Sequence, residues 1–397
     1  MIYLLILLPI IAANVVYWYF RKNKKLDLSD ERRGITYLLL LTVPTILTVI
    51  TIFTMDHTIR YSKVSDTEYW SFYYSKIRHL DRWNEYIHRT CTRMIRDSRG
   101  NTRTETYDCS YVEYHPERWI LVDNGGNEIY TSKEYFDSIK TLWNTKPIFV
   151  DMHRNYYTVD GDAQEYYWDQ LGQHLITYSL EMPYINKIKG TQTAFRLRDV
   201  SKEEAKLLGL FDYPGISGPN MYEQEQNPIL GFNPGKDVIK KFINFNAREG
   251  SRKKIRVFVL VFKEGQGPEI AEEQKNYWQG GNKNELVICV GIDKSTHEVK
   301  WADCFSWQDD VTLDTRCKLF LQGQKKINLD RLHWFLRENI GLWKKKDFRD
   351  FDYLEPELDS DDDNTIIMVV LCILLVSTCA QVGTFWYYTK KDEKDQS

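Results

Sequence analysis

The sequence predicts an α+β protein in which three transmembrane helices anchor a large domain of the α/β-sandwich type. Two observations predict the helices. The chain has three uncharged apolar segments of about 20 residues, and in the first and third an aromatic cluster is followed at once by basic residues. The segments are residues 1–20, 35–55 and 365–388. A third observation predicts the domain, because the chain between the last two segments contains helical periodicity and β-branched apolar runs.

Basic residues predict the orientation of the chain. The loop of residues 21–34 carries six lysines and arginines against three acids, and the tail of residues 389–397 carries three lysines. Short cationic flanks stay in the cytoplasm, and acidic residues count little in this rule. We therefore expect residues 56–364 to be extracytoplasmic. The acidic juxtamembrane spacer, residues 347–364, agrees with this orientation.

Residues 1–20 have a second interpretation, a cleaved signal peptide. Ala12-Ala13 resembles a cleavage site, but no basic residue precedes the apolar run, which ends in bulky aromatic and basic residues. We favour a retained anchor, which makes the chain an integral protein of a cytoplasmic (inner) or plasma membrane.

Turn-forming residues between positions 211 and 233 predict a boundary inside the large block. The first part, residues 56–233, is expected to mix helices and hairpins. Apolar residues spaced by three and four predict a helix over residues 67–89, and another short helix is expected after residues 160–162. A hairpin is predicted over residues 119–130, and capping boxes predict helices that begin near Thr131 and Ser201.

Two cysteines flank a predicted hairpin whose turn contains Gly100. Centring the turn on Gly100 places Cys91 opposite Cys109. Directly opposed residues approach within about 4.5–5.5 Å between their β-carbons, which suits a disulfide. An extracytoplasmic location also favours a disulfide. A register slip of one residue would put the two cysteines on opposite faces.

The second part, residues 234–346, is predicted as an α/β subdomain. A helix after Pro234-Gly235, the apolar strand 255–262, a helix from residue 269, two strands and a final helix follow in order. Cys289 and Cys304 lie on the last two strands and are candidates for a second disulfide. If that hairpin pairing is wrong, Cys304 has Cys317 as an alternative partner.

The order helix–strand–helix–strand–strand, with Gly280-Gly-Asn-Lys-Asn-Glu running into the strand from Leu286, resembles the TPM domain. This likeness covers residues 236–307 and implies an α/β sandwich tethered outside the cytoplasm. The acidic metal-binding positions of that family have no counterpart assigned here. The whole chain is also similar to uncharacterised membrane proteins of bacteria and large phages.

No catalytic motif is apparent in the sequence. The eight histidines show no H-E-x-x-H spacing, and the chain has no C-x-x-C and no P-loop. We therefore predict no catalytic residue, no cofactor and no metal ligand. A net charge of −3 does not favour nucleic-acid binding, which requires a basic face.

Three functions are compatible with this pattern. The first is a non-enzymatic module that presents an extracytoplasmic domain to a protein or envelope partner. The alternatives are an envelope hydrolase, possibly metal-assisted, and a structural subunit of a membrane complex. In each case the partners are the lipid bilayer and an unidentified protein or envelope component.

Overall fold

The computed structural model describes residues 2–24, 31–96, 98, 100, 102–151, 163–169, 175–191, 193, 195, 197–263, 265–356, 358 and 360–395. The chain divides into two compact units. The helical unit comprises Met1–Asp66, Pro183–Arg196 and Asp347–Ser397, and the α+β unit comprises Thr67–Met182 and Leu197–Lys346. The boundary expected near residue 233 falls inside the α+β unit.

Helices and strands are numbered in chain order within the described residues. The α-helices are α1 (Leu8–Lys24), α2 (Glu31–Val64), α3 (Lys133–Trp143), α4 (Lys202–Leu208), α5 (Lys236–Lys253), α6 (Glu269–Tyr277), α7 (Thr312–Gln322), α8 (Leu329–Asn339) and α9 (Ser360–Asp395). The strands are β1 (Ser65–Leu80), β2 (Trp83–Ile87), β3 (Thr90–Arg96), β4 (Thr102–Asp108), β5 (Tyr111–His115), β6 (Arg118–Asp123), β7 (Glu128–Thr131), β8 (Ile148–Val150), β9 (Ala163–Tyr167), β10 (Thr177–Ile185), β11 (Ser217–Asn220), β12 (Glu223–Glu225), β13 (Ile229–Leu230), β14 (Arg256–Phe262), β15 (Glu285–Ile292) and β16 (Val299–Ser306). This content confirms the predicted α+β class.

Three helices of the helical unit are long and apolar enough to cross a membrane, as predicted. The candidate spans are Tyr3–Lys22, which includes the 3₁₀ helix Ile2–Leu7 before α1, Arg33–Val64 in α2 and Asp361–Lys394 in α9. A helix pairs its backbone groups internally, which is the requirement inside lipid. Helix α2 continues through Pro44. Residues 347–364, expected as an acidic spacer, contain a 3₁₀ turn at Phe348–Phe351 and the beginning of α9 at Ser360.

The first sheet of the α+β unit has the strand order β7-β6-β1-β9-β8, and β10 also pairs with β1. The predicted 119–130 hairpin is confirmed by the antiparallel pair β6–β7. The helix predicted to begin near Thr131 is also confirmed as α3, but the residue that caps it is Ser132, whose hydroxyl accepts from the Tyr135 amide. One core joins the sheet to α3; it contains Phe72, Tyr74, Ile77, Leu121, Phe136, Ile139, Trp143, Tyr166, Ile176 and Tyr178.

The helix predicted over residues 67–89 is wrong, because the structure has β1 and β2 there. Strand β1 is paired with β6 on one side and β9 on the other. A β-bulge between Tyr74 and Lys76 breaks the two-residue alternation. Tyr74 and Ile77 therefore point into the same core although they are three residues apart. That spacing imitates a helical face.

The short helix expected after residues 160–162 is also wrong. The structure has strand β9 at Ala163–Tyr167, hydrogen-bonded between β1 and β8. Its aromatic residues suit a strand. Residues 160–162 and Leu171, which were part of that prediction, lie outside the described residues.

The second sheet has the order β13-β14-β15-β16, with β13, β14 and β15 parallel and β16 antiparallel. Alternate residues of β14 enter different cores, which explains its unbroken apolar sequence. Val257, Val259 and Val261 pack with residues of α5, α7 and α8. Phe258, Leu260 and Phe262 pack with residues of α6. The helices predicted here as α5, α6 and α8 are confirmed, whereas α7 was not anticipated.

Candidate functional site

The candidate site is a groove on the α+β unit between α5 and α8. Both helices are amphipathic and bury Phe242, Phe245, Leu332 and Leu336 in the core on one side of the second sheet. The Asn328 side chain caps α8 by accepting from the Arg331 amide at 3.0 Å. The other faces of the two helices therefore border a groove whose backbone is fixed by the core beneath it.

The groove has a volume of about 490 Å³. Each helix contributes side chains at helical spacings of three, four and seven, which lie along one face. The lining residues are Lys241, Asn244, Phe245, Arg248, Glu249, Asp330, His333, Trp334 and Arg337. The groove therefore combines cationic, amide and aromatic groups.

The carboxylates of the groove are already engaged. Asp330 pairs with Lys241 at 2.6 Å, and Glu249 pairs with Arg252. Within the described part of the chain, the Arg248 and Arg337 guanidinium groups form no ion pair. Arg248 lies over the Trp168 ring, 5.3 Å from its centroid. The groove therefore has an excess of positive charge that no described carboxylate neutralises.

His333 lies at the floor of the groove. Its ring centroid is 5.8 Å from that of Phe242 and 6.0 Å from that of Phe245. Burial, followed by the charges of Arg337 and Lys241, lowers the pKa of His333 to about 4. The imidazole is therefore neutral near pH 7 and presents one donor and one acceptor nitrogen.

Trp334 provides an aromatic surface at the groove. Its side chain is 62% exposed, which is unusual for an indole in a folded domain. Tryptophan and arginine are the residue types most enriched at binding hot spots. The groove is therefore equipped to hold an anionic segment that also carries an apolar side chain.

The cysteine pair predicted on the hairpin lies at disulfide distance. The Cα atoms of Cys91 and Cys109 are 5.8 Å apart. The register differs from the expected one, because β3 and β4 place Cys91 opposite Tyr107, and the Cys109 amide donates to the Arg89 carbonyl at 2.9 Å. A shift of two residues keeps both cysteines on one face of the hairpin.

The prediction of a second disulfide, between Cys289 and Cys304, is wrong. In the β15–β16 ladder Cys289 lies opposite Asp303, and Cys304 lies opposite Ile288. This offset of one residue sends the two thiols to opposite faces of the sheet, and both are free. Cys304 instead interacts with Cys317, and burial followed by this neighbour raises the pKa of its thiol well above the ordinary value.

Two charged residues at the start of β14 and β15 are fully buried. Glu285 accepts from the Tyr213 hydroxyl and the Asn282 amide, and burial raises its pKa. Arg256 donates to the Ser179 hydroxyl at 3.0 Å, and burial lowers its pKa. The adjoining cavity of about 10 Å³ has room for one water molecule. The cavity beside Arg256 is therefore too small for a substrate larger than water.

One group of side chains in the described residues has the composition of a metal site, although the sequence led us to expect none. It consists of His79, Asp81 and Glu117, whose ligand atoms all lie within 4.8 Å of one another. Sequence reasoning missed it because Glu117 is distant in the chain and reaches His79 only through the pairing of β1 with β6.

No protein-family model, no curated protein and no solved structure matches this chain. The likeness of residues 236–307 to the TPM domain therefore stays a prediction.

Proposed function

We propose that this chain is a membrane-anchored interaction protein whose α+β unit binds an acidic segment of a partner protein outside the cytoplasm. The observation that carries the proposal is the excess positive charge of the α5–α8 groove beside an exposed tryptophan. Positive charge attracts an acidic partner during encounter and gives specificity. The indole supplies the apolar contact that charge alone lacks.

The proposed location is supported by the three long apolar helices. Arginine and lysine residues follow the first apolar segment and the last one. Their charge favours a cytoplasmic position for the loop of residues 21–34 and for the tail of residues 389–397. The cysteine pair at disulfide distance is compatible with an oxidising compartment. Anchoring at both ends of the large domain means that a partner must reach the membrane.

The lining of the groove favours binding over catalysis. Its carboxylates are held in ion pairs, and it contains no serine, threonine or cysteine that could act as a nucleophile. The histidine is neutral near pH 7, but no activating carboxylate contacts its ring among the described residues. Recognition of an acidic segment needs none of these groups.

The test uses the untagged full chain in detergent micelles and a fluorescent peptide that alternates glutamate with leucine. We expect binding by fluorescence anisotropy that weakens as salt is raised. The R248E/R337E variant should raise the Kd about 5- to 30-fold, because two attractive charges in the groove become repulsive, a change worth roughly 1–2 kcal/mol in total. Both side chains lie at the surface of the groove, so the fold should survive the change.

The matched control is K202E/K206E on α4, which changes the net charge by the same amount at two exposed positions outside the groove. It should leave the Kd nearly unchanged. Equal weakening by both double variants would mean that only net charge matters, and the groove would lose its role. Failure of the wild-type chain to bind the peptide would also contradict the proposal.

A metal-assisted envelope hydrolase is the second candidate function, and the His79–Asp81–Glu117 group favours it. A metal ion held by three protein ligands can keep one position for water. The third possibility, a structural subunit assembled through its helices, gains no comparable support.

A further inference from the structure

A histidine and two carboxylates converge at one end of the first sheet. His79 is the second-last residue of β1, Asp81 lies in the connection between β1 and β2, and Glu117 precedes β6. The Nε2 atom of His79 is 2.7 Å from the Glu117 carboxylate and 3.7 Å from the Asp81 carboxylate. The convergence depends on the sheet, since β1 and β6 bring these parts of the chain together.

The direction of the histidine ring is fixed by its surroundings. His79 lies opposite Trp119 on β6 and opposite Gln164 on β9, so its backbone is held from both sides. Its ring stacks on Trp119 with centroids 5.8 Å apart and an interplanar angle of 13°, and Phe136 flanks it at 6.2 Å. The Nε2 atom is therefore preorganised at the surface.

The two carboxylates have the freedom that coordination requires. The side chains of Asp81 and Glu117 are 56% and 42% exposed, whereas that of His79 is 17% exposed. Bonds to zinc measure about 2.0–2.2 Å for both nitrogen and oxygen ligands. An ion between the three ligand atoms therefore requires only small side-chain rotations at two exposed residues.

We propose that His79, Asp81 and Glu117 bind a divalent transition-metal ion, with Zn²⁺ as the best fit and at least one position left for water. Two carboxylates balance the charge of the ion, and the imidazole favours zinc over magnesium or calcium. The exposure of two ligands leaves the remaining position accessible to solvent. This inference goes beyond the proposed interaction function and does not depend on it.

The competing explanation is an ordinary hydrogen bond between His79 and Glu117. Such a pair needs no contribution from Asp81, whereas a metal site does. The single substitution D81N therefore separates the two, because it removes a ligand charge at an exposed residue and leaves the His79–Glu117 pair intact.

The experiment is equilibrium dialysis of the untagged, metal-stripped full chain in detergent against Zn²⁺, with bound zinc measured by atomic absorption. We expect one tightly bound equivalent per chain. Both D81N and H79N should weaken its binding at least about 10-fold, since even outer-shell changes cost 10–100-fold in metal affinity. Circular dichroism of each variant verifies that the fold is retained.

A second histidine–carboxylate pair provides the matched control. His115 lies 3.3 Å from Glu85 and stacks on Trp83 at 4.2 Å, and it does not belong to the group of ligand atoms at His79. H115N should bind zinc as the wild type does. The proposal is overturned if the wild type binds no stoichiometric zinc, if D81N binds it unchanged, or if H115N loses it as H79N does. None of these outcomes affects the peptide test of the groove.

Discussion

Phe258→Ala is expected to lower the free energy of unfolding of the α+β unit by about 3–5 kcal/mol, the cost of truncating a fully buried phenylalanine. Phe258 lies in the middle of β14 with no exposed surface. Its ring meets those of Tyr213 and Trp278 edge-on, at centroid distances of 5.7 and 5.6 Å. The cavity left by alanine would lie between rigid rings, which cannot collapse into it.

Pulse proteolysis of the full chain in detergent across a urea series measures this loss. Phe258→Leu should cost clearly less, because most of the volume is retained. Phe149→Ala removes the same group from a side chain that is 50% exposed and serves as the control. A loss at Phe258 no larger than that at Phe149 would contradict the packing described for the second sheet.

Gly231→Ala is expected to lower the free energy of unfolding by about 2–5 kcal/mol. Gly231 follows β13 with a φ of +79°, a conformation that costs an L-residue about 1–2 kcal/mol. An added Cβ would also lie 2.1 Å from the Val261 carbonyl oxygen and 2.6 Å from the Phe211 ring. Overpacking of this kind typically costs a further 1–3 kcal/mol, and the parallel pairing of β13 with β14 should loosen.

Gly126→Ala separates the cost of a positive φ from the cost of the steric clash with the added Cβ. Gly126 has a similar φ of +86°, but no atom lies within 4 Å of the added Cβ. The same urea series should therefore show a smaller loss for Gly126→Ala than for Gly231→Ala. Equal losses would mean that the close approach of Val261 has no energetic effect.

The sequence predicts elements whose signal is local. The apolar run of β14 and the caps of α3, α4 and α8 identify those elements without knowledge of their neighbours. The three candidate membrane-spanning helices also follow from composition alone, because an uncharged apolar segment of about 20 residues has the length needed to cross the hydrocarbon core. The turn residues around Gly100 also sufficed to predict that Cys91 and Cys109 lie on the same face of the hairpin, although the predicted register was wrong by two residues.

Elements that depend on non-local pairing could not be predicted in this way. The bulge in β1 is a property of its ladder with β6, and it turned a central strand into an apparent helix. The groove requires α5 and α8 to be neighbours, which their sequences do not reveal. Arg248 and Arg337 each lie on one amphipathic helix, and a cationic residue in that position is typical of a solvated helix face.

The proposed position of the α+β unit outside the cytoplasm is tested most directly by cysteine labelling of the full chain in spheroplasts. Leu207→Cys introduces a thiol at a side chain that is 89% exposed on α4, and Lys22→Cys introduces one at the exposed end of α1. Of the native free thiols, Cys289 and Cys317 are buried, Cys304 is partly buried, and Cys372 and Cys379 lie in α9. Labelling of the wild-type chain therefore measures the background from these native thiols.

A membrane-impermeant maleimide should label Leu207→Cys in intact spheroplasts and Lys22→Cys only after lysis. Labelling of Lys22→Cys in intact spheroplasts, with Leu207→Cys protected until lysis, would contradict the account.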